Sequence, residues 1–343
     1  MLELIDFQDE LIRVFILGFL ALVLAVIITP LYTSLAYRYK FWKKPRENAI
    51  TGEKAAVFTR LHADKHRRLI PTMAGVIGLV AITIVTLSFN WTREQTWLPL
   101  AATLAAGGVG LIDDIINIRG SARGIAGLRS SLKFGLISLI AIGGGWYFYN
   151  KLGYDSINVT FFGQVAVEWL LVPIFAFVVV ATANAVNISD GLDGLAGGLL
   201  VSAFSSFGTI AFLQGNFGIA GFCLTITGAL IAYVWFNIFP ARFFMGDVGS
   251  FALGTALGVV AMLTDTLVLL PIIGGVFVVE AGSSLAQIMS KRLRGKKILL
   301  SAPIHHHFEA VGWPETKVTM RFWVVGQVLA VTGIALALVG GNI

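Results

Sequence analysis

Runs of about twenty apolar residues recur along this chain of 343 residues, and a run of that length and character crosses the hydrocarbon core of a bilayer as one helix. They fall at about 11–36, 70–90, 96–113, 132–150, 168–186, 194–213, 218–238, 249–264, 267–290 and 319–339, which predicts ten spans. Composition agrees: 57% of the residues are hydrophobic and 13% charged, with a mean hydropathy of +0.83, whereas a soluble domain carries about 25% charge. A soluble globular enzyme and a disordered chain are both excluded. The expected fold is one all-α polytopic membrane domain over residues 1–343, with both termini external and the functional loops cytoplasmic. The single cysteine, Cys223, lies inside an apolar run, so an intramolecular disulfide is impossible.

Charge sets the orientation. With ten spans, alternate loops lie on opposite sides, and all of the basic residues but Arg13, Arg93 and Lys151 fall in one set of loops. The positive-inside rule makes that set cytoplasmic. The net charge of +6 is therefore topology, and no nucleic-acid partner is expected. The first ten residues, MLELIDFQDE, are acidic where a signal peptide is basic, so 11–36 reads as a retained first helix. External loops are short except 151–167, where INVTFFGQVAVEW alternates like a small hairpin. The large polar segments, 38–69 and 291–318, both lie on the cytoplasmic side.

Several carboxylates stand at the cytoplasmic ends of spans, where an ionised group needs a partner, a cation or water. In GLIDDI, Asp113 and Asp114 form an adjacent pair. Like charges so close suit either Mg²⁺ ligation or a general base. In NAVNISDGLDGLAGG, residues Asn184, Asn187, Asp190 and Asp193 recur every third position, which on a helix keeps neighbours on one side. Asn donates and accepts while Asp accepts, a combination suited to nucleobase and ribose edges; a C-cap and turn explains one or two of the four. In WFNIFPARFFMGDVGS, Asp247 opens a helix beside Gly246, Gly249 and Ser250. This is either a Mg²⁺-phosphate site at a helix start or a simple N-cap.

KRLRGKKILLSAPIHHHFE carries His305, His306, His307 and Glu309. Three consecutive side chains point in different directions, which argues against a zinc site and for phosphate contacts beside the basic residues. Glu280 lies within a span, where a carboxylate is costly, and reads as a paired structural group or a pathway residue. Walker A, HExxH, GxSxG and cysteine-cluster patterns are all missing. The remaining chemistry is that of a nucleotide-linked phosphosugar meeting a lipid phosphate. A transporter would put its polar groups near the midplane on broken helices rather than crowd them on one face.

In this order, GLIDDI, NAVNISDGLDGLAGG, FNIFPARFFMGDVGS and SAPIHHHFE, followed by WPETKVTMRFWVVGQ, resemble the signature loops of the polyprenyl-phosphate N-acetylhexosamine-1-phosphate transferase superfamily. The likeness runs from about residue 62 to the C-terminus, and HHHFE after a GKK tract points to the phospho-N-acetylmuramoyl-pentapeptide transferase branch. The resemblance implies transfer of phospho-N-acetylmuramoyl-pentapeptide from UDP to undecaprenyl phosphate, giving lipid I and UMP. It implies Mg²⁺ as cofactor, a multi-pass protein of the bacterial inner membrane with a cytoplasmic active site, and a homodimer as an assembly common among members. By motif position it makes Asp113, Asp114 and Asp247 catalytic, with Asp113 a candidate base. It assigns Asp247 and Asn187 to the metal, and Thr72, Lys133, Asn187, Asp190, Asp193, Asn237, Phe244, His305, His306 and His307 to substrate. RRLIPTMAG has Leu69, Ile70 and Ala74 where the family usually has Gly, Thr and Gly, and Asn117 stands where Lys is frequent. A UDP-N-acetylhexosamine donor is the alternative within the same chemistry; HHHFE favours the pentapeptide donor.

Overall fold

The structure of the protein, a computed structural model, describes residues 2–42, 69–120 and 127–343. Lys43, Lys44, Arg46, Lys54, Arg60, Lys65, Arg67, Arg68 and Arg123, counted above toward sidedness, and most of the 38–69 segment lie outside the described residues. The fold is all-α. Its helices are α1 (Leu2–Arg38), α2 (Gly75–Phe89), α3 (Trp97–Arg119), α4 (Ser130–Asn150), α5 (Leu171–Ser189), α6 (Leu195–Leu213), α7 (Phe217–Asn237) and α8 (Gly246–Leu263). A short α9 (Leu270–Ile273), α10 (Gly275–Arg294), α11 (Ile304–Ala310) and α12 (Glu315–Val339) follow. Strands β1 (Ser156–Val159) and β2 (Gly163–Ala166) pair antiparallel as the expected hairpin.

Each of the ten apolar runs is helical, but two differ in form. Among the described residues eight helices are long and apolar enough to cross a membrane, while α2 has only 15 residues. The run at 70–90 starts late as a helix because residues 70–74 are drawn into a loop, with Met73 at φ 72°, where a non-glycine residue is uncommon. The run at 267–290 is broken at Gly274, and its two pieces meet at 80°.

The core is built on α8, in which every residue except Asp247 is buried. Gly, Ala and Ser recur along it, so α3 and α5 approach closely; such small residues are how helices pack without a hydrophobic drive in lipid. At Gly110 of α3 an added Cβ would come within 2.2 Å of the Asp247 carbonyl oxygen. By contrast α1 and α12 keep most of their surface outward.

Contacts define two ends of the bundle. Near one lie both chain termini: Phe7 packs edge-on against Phe212 at 4.9 Å, Gln214 donates to the Asn342 carbonyl, and the hairpin residue Phe161 donates to the Gly340 carbonyl. The other end holds the ends of α3, α5 and α7 and the starts of α4, α8 and α12, with every carboxylate motif read from the sequence.

Candidate active site

Asp113 and Asp114 are not at the end of their helix, as the sequence suggested, because α3 continues to Arg119. Ile115 and Ile118 pack against the buried cluster of Met73, Leu79, Val248 and Ala252 and extend the apolar stripe past the acids. Adjacent helical residues diverge by about 100°, so the two carboxylates find different partners. Asp113 Oδ1 accepts the Leu128 N–H at 2.7 Å, and its Oδ2 lies 3.1 Å from Lys133 Nζ at the start of α4. Asp114 Oδ2 accepts the Val248 N–H at 3.0 Å, so it caps the first turn of α8 from another helix. In that same turn Asp247 Oδ2 lies 2.6 Å from Lys133 Nζ, which makes Asp247 an ion-paired group and not the N-cap; Met245 holds that position.

Asp113, Asp114 and Asp247 offer carboxylate oxygens all within 4.8 Å of one another. An oxygen-only donor set with excess negative charge fits a hard divalent cation better than zinc. Asp113 and Asp114 are buried and Asp247 is 15% exposed, so the cluster opens to the outside through Asp247 and Lys133. Asn117, one turn beyond Asp113, is buried on the same helix.

Two loops hold this cluster. Phe244 N–H donates to the Pro71 carbonyl at 2.8 Å, Ala74 N–H to the Phe244 carbonyl at 3.0 Å, and Gly75 N–H to the Met245 carbonyl at 2.9 Å. The pairing places Thr72 and Phe244 side by side. Thr72 itself is buried, its N–H bonded to the Phe41 carbonyl and its carbonyl to the Tyr32 hydroxyl. Its backbone is thereby committed to structure.

The fourfold repeat from Asn184 to Asp193 does not lie on one helix, because α5 ends at Ser189 and the last two members sit in the turn that follows. Asn184 donates back to the Val180 carbonyl. Asn187 Nδ2 donates to Ser250 Oγ at 2.8 Å, which ties it to the turn of α8 that carries Asp247. Asp190 is half-buried, whereas Asp193 is fully engaged: its carboxylate accepts the Ala241 N–H, its own N–H donates to Glu315, and its carbonyl accepts from Thr319. Asn237 Oδ1 accepts the Gly194 N–H at 2.9 Å and its Nδ2 donates to the Phe243 carbonyl at 2.8 Å. Asp193 and Asn237 therefore brace three loops. Tyr32 and Glu315 belong to this scaffold although neither is singled out in the sequence; Tyr32 lies in an apolar run and Glu315 inside the WPETKVTMRFWVVGQ segment.

The three histidines sit on α11 and diverge as expected. His305 Nδ1 is 2.7 Å from Glu280, His306 Nδ1 is 2.7 Å from Glu309, and His307 Nδ1 accepts the Leu300 N–H. Burial pushes the His306 imidazole below its ordinary value, against the opposing pull of Glu309. The His305 ring abuts Gly191 of the Asp190–Gly194 turn. Contacts thus run from Asp247 through Ser250, Asn187 and that turn to the histidine helix.

Residues 96–265 match the family model described as glycosyl transferase family 4. Three similar proteins, each named phospho-N-acetylmuramoyl-pentapeptide-transferase, extend the match over most of the chain. That of Chloroflexus aurantiacus is 35% identical, covering 97% of this chain and 92% of its own. That of a Geobacillus species is 36% identical over 95% and 98%, and that of Syntrophus aciditrophicus 40% over 77% and 79%. With its carboxylate cluster at one end of a polytopic helical bundle, this chain belongs to the phospho-N-acetylmuramoyl-pentapeptide-transferase family.

Proposed function

We propose that the protein transfers phospho-N-acetylmuramoyl-pentapeptide from its UDP carrier to undecaprenyl phosphate, forming lipid I and UMP for peptidoglycan synthesis, with Mg²⁺ as cofactor. The observation that carries this reading is the cluster of Asp113, Asp114 and Asp247 around Lys133, buried on one side and open on the other. The basic loops of the sequence support a cytoplasmic placement of that end in the bacterial inner membrane, where a UDP-linked donor is found.

In this reading Asp114 and Asp247 hold the metal, with Asp113 and Asn187 beside it. Bound there, Mg²⁺ supplies positive charge that offsets the charge of the diphosphate. Asp113 accepts the proton of the lipid phosphate at Oδ2, the oxygen that faces Lys133. An oxygen of that phosphate then bonds to the sugar-bearing phosphorus, and the bond from that phosphorus to the UMP oxygen breaks. Lys133 orients the phosphates and meets the charge that develops on them. Asp190, Phe244 and His307 face the donor, while Thr72, Asp193, Asn237 and the buried His305 and His306 serve it by fixing the loops.

The test is purified protein with Mg²⁺, undecaprenyl phosphate and either UDP-N-acetylmuramoyl-pentapeptide or UDP-N-acetylglucosamine, following UMP and the lipid product. Turnover with the pentapeptide donor is expected. Turnover with the simple sugar alone would move the protein to the other donor class.

A further inference from the structure

Glu280, Ser283, Gln287 and Ser290 recur on α10 at intervals of three and four and so share one face. All four grip residues 296–305. Ser290 Oγ donates to the Lys296 carbonyl at 2.9 Å. Gln287 Oε1 accepts the N–H groups of Ile298 and Leu299 at 2.9 and 3.0 Å, and its Nε2 donates to the Leu299 carbonyl. Ser283 Oγ accepts the Ile304 N–H at 3.0 Å. These three hold main chain and are indifferent to the side chains it carries.

Glu280 is different, because its Oε2 lies 2.7 Å from a side-chain atom, His305 Nδ1, with both side chains 0% exposed. The far edge of that ring meets the Asp190–Gly194 turn, where a Cβ on Gly191 would stand 2.4 Å from Nε2. A carboxylate so placed is costly, and docking α11 on α10 does not need it, since apolar residues of similar volume serve as well in such positions. What a carboxylate on Nδ1 adds is a fixed tautomer and a fixed ring direction.

We propose that Glu280 is a positioning residue of the transfer reaction: it holds His305 in one orientation and tautomer, with Nε2 against the turn that carries Asp190. The inference rests on the transferase reading above. Glu280→Leu is expected to raise KM for the UDP-linked donor by about tenfold or more, while kcat and KM for undecaprenyl phosphate stay within about twofold. Glu280→Gln, whose amide oxygen still accepts from Nδ1–H, should stay within about threefold of wild type.

A purely structural role would lower kcat, move both KM values and depress Tm together, with no rescue by Gln; that result, or an unchanged donor KM in folded Glu280→Leu, overturns the proposal. If Glu280→Leu does not fold, Gly191→Ala displaces the ring without touching the carboxylate. The same donor-selective rise is then expected, and its absence is equally fatal. A readout independent of turnover is ¹⁵N spectroscopy of histidine-labelled protein. The His305 imidazole, separated from that of His306 on Glu309 by recording the spectra in a His306→Gln background, should show protonated Nδ1 and bare Nε2 with Glu280 in place and in Glu280→Gln, and lose that signature in Glu280→Leu. That signature without wild-type turnover removes the transferase reading and leaves the pair intact, whereas turnover without the signature removes the pair.

Discussion

Lys133 Nζ and Asp247 Oδ2 stand 2.6 Å apart although 114 residues separate them in the chain. The same ammonium is 3.1 Å from Asp113, so one cation holds carboxylates from α3 and α8 together. Lys133→Met should lower turnover by about 10²- to 10³-fold, the scale of losing one preorganised charge at a reacting group. It should also lower Tm in metal-free buffer, with much of the loss recovered in Mg²⁺ because a bound cation relieves the same repulsion. Lys133→Arg keeps the charge but replaces a compact point charge with a planar fork, and an intermediate rate is expected. Near-normal turnover of Lys133→Met would remove Lys133 from the reaction.

The carboxylate cluster predicts linkage between metal and stability. Mg²⁺ at a hundred times its Kd should stabilise the fold by about 2.7 kcal/mol, seen as a rise in Tm that EDTA reverses. Asp113→Asn and Asp247→Asn should each shrink that rise and abolish most turnover, and the double variant should cost little more than either alone. A full Tm response in Asp247→Asn would place the metal elsewhere.

Asn237 tests the distinction between bracing and binding. Both polar atoms of its buried amide are used within the protein, on Gly194 and Phe243. Asn237→Ala leaves two buried main-chain groups without partners, at about 1–3 kcal/mol each. The expected outcome is a lower Tm in detergent with and without donor, and a loss of activity that tracks the folded fraction. A donor-specific rise in KM at unchanged Tm would instead make Asn237 a ligand contact.

What could be read from the sequence divides along physical lines. Spans, the hairpin and the clustering of acids at one end follow from hydropathy, alternation and charge, which are local signals. Asp113, Asp114 and Asp247 were legible because carboxylates beside apolar runs need a reason to be there. The part that stayed hidden is the division between ligand contacts and braces. Asp193 meets Ala241, 48 residues away, and Glu315, 122 residues away, and no spacing rule reports such pairings. The helical reading of Asn184 to Asp193 failed for the same reason: the turn after Ser189 is held by bonds to distant loops. Late helix starts, as at Gly75, likewise depend on a loop partner, here Phe244 and Met245.

His306 gives a pH prediction whose sign follows from burial. Its folded-state value lies below the ordinary 6.5, so as pH falls the unfolded chain takes up the proton first. Stability is then fully present above about pH 6.5 and declines as pH falls through the folded value. Thermal unfolding between pH 8 and about pH 5 should show this decline, and His306→Gln, which cannot take up the proton, should flatten it. An identical slope in His306→Gln would assign the decline to other groups.

Gly246 joins the backbone to the chemistry. It has φ 76°, a conformation that costs an L-residue about 1–2 kcal/mol, and a Cβ there would lie 2.5 Å from Asp114 Oδ2 and 2.8 Å from the Met73 nitrogen. The collision falls on the carboxylate that caps α8 through Val248. Gly246→Ala should therefore lower Tm by several degrees and reduce turnover by about 100-fold or more, with a smaller Mg²⁺-induced Tm rise, because Asp114 has to leave both the cap and the cluster. Gly282 on α10 is the matched control: a Cβ there meets nothing within 4 Å, so Gly282→Ala should keep full activity and gain about 0.5–1 kcal/mol from helix propensity. If Gly246→Ala turned over like wild type, the loops would be able to slide without penalty, and the placement of Asp114 would not matter to catalysis.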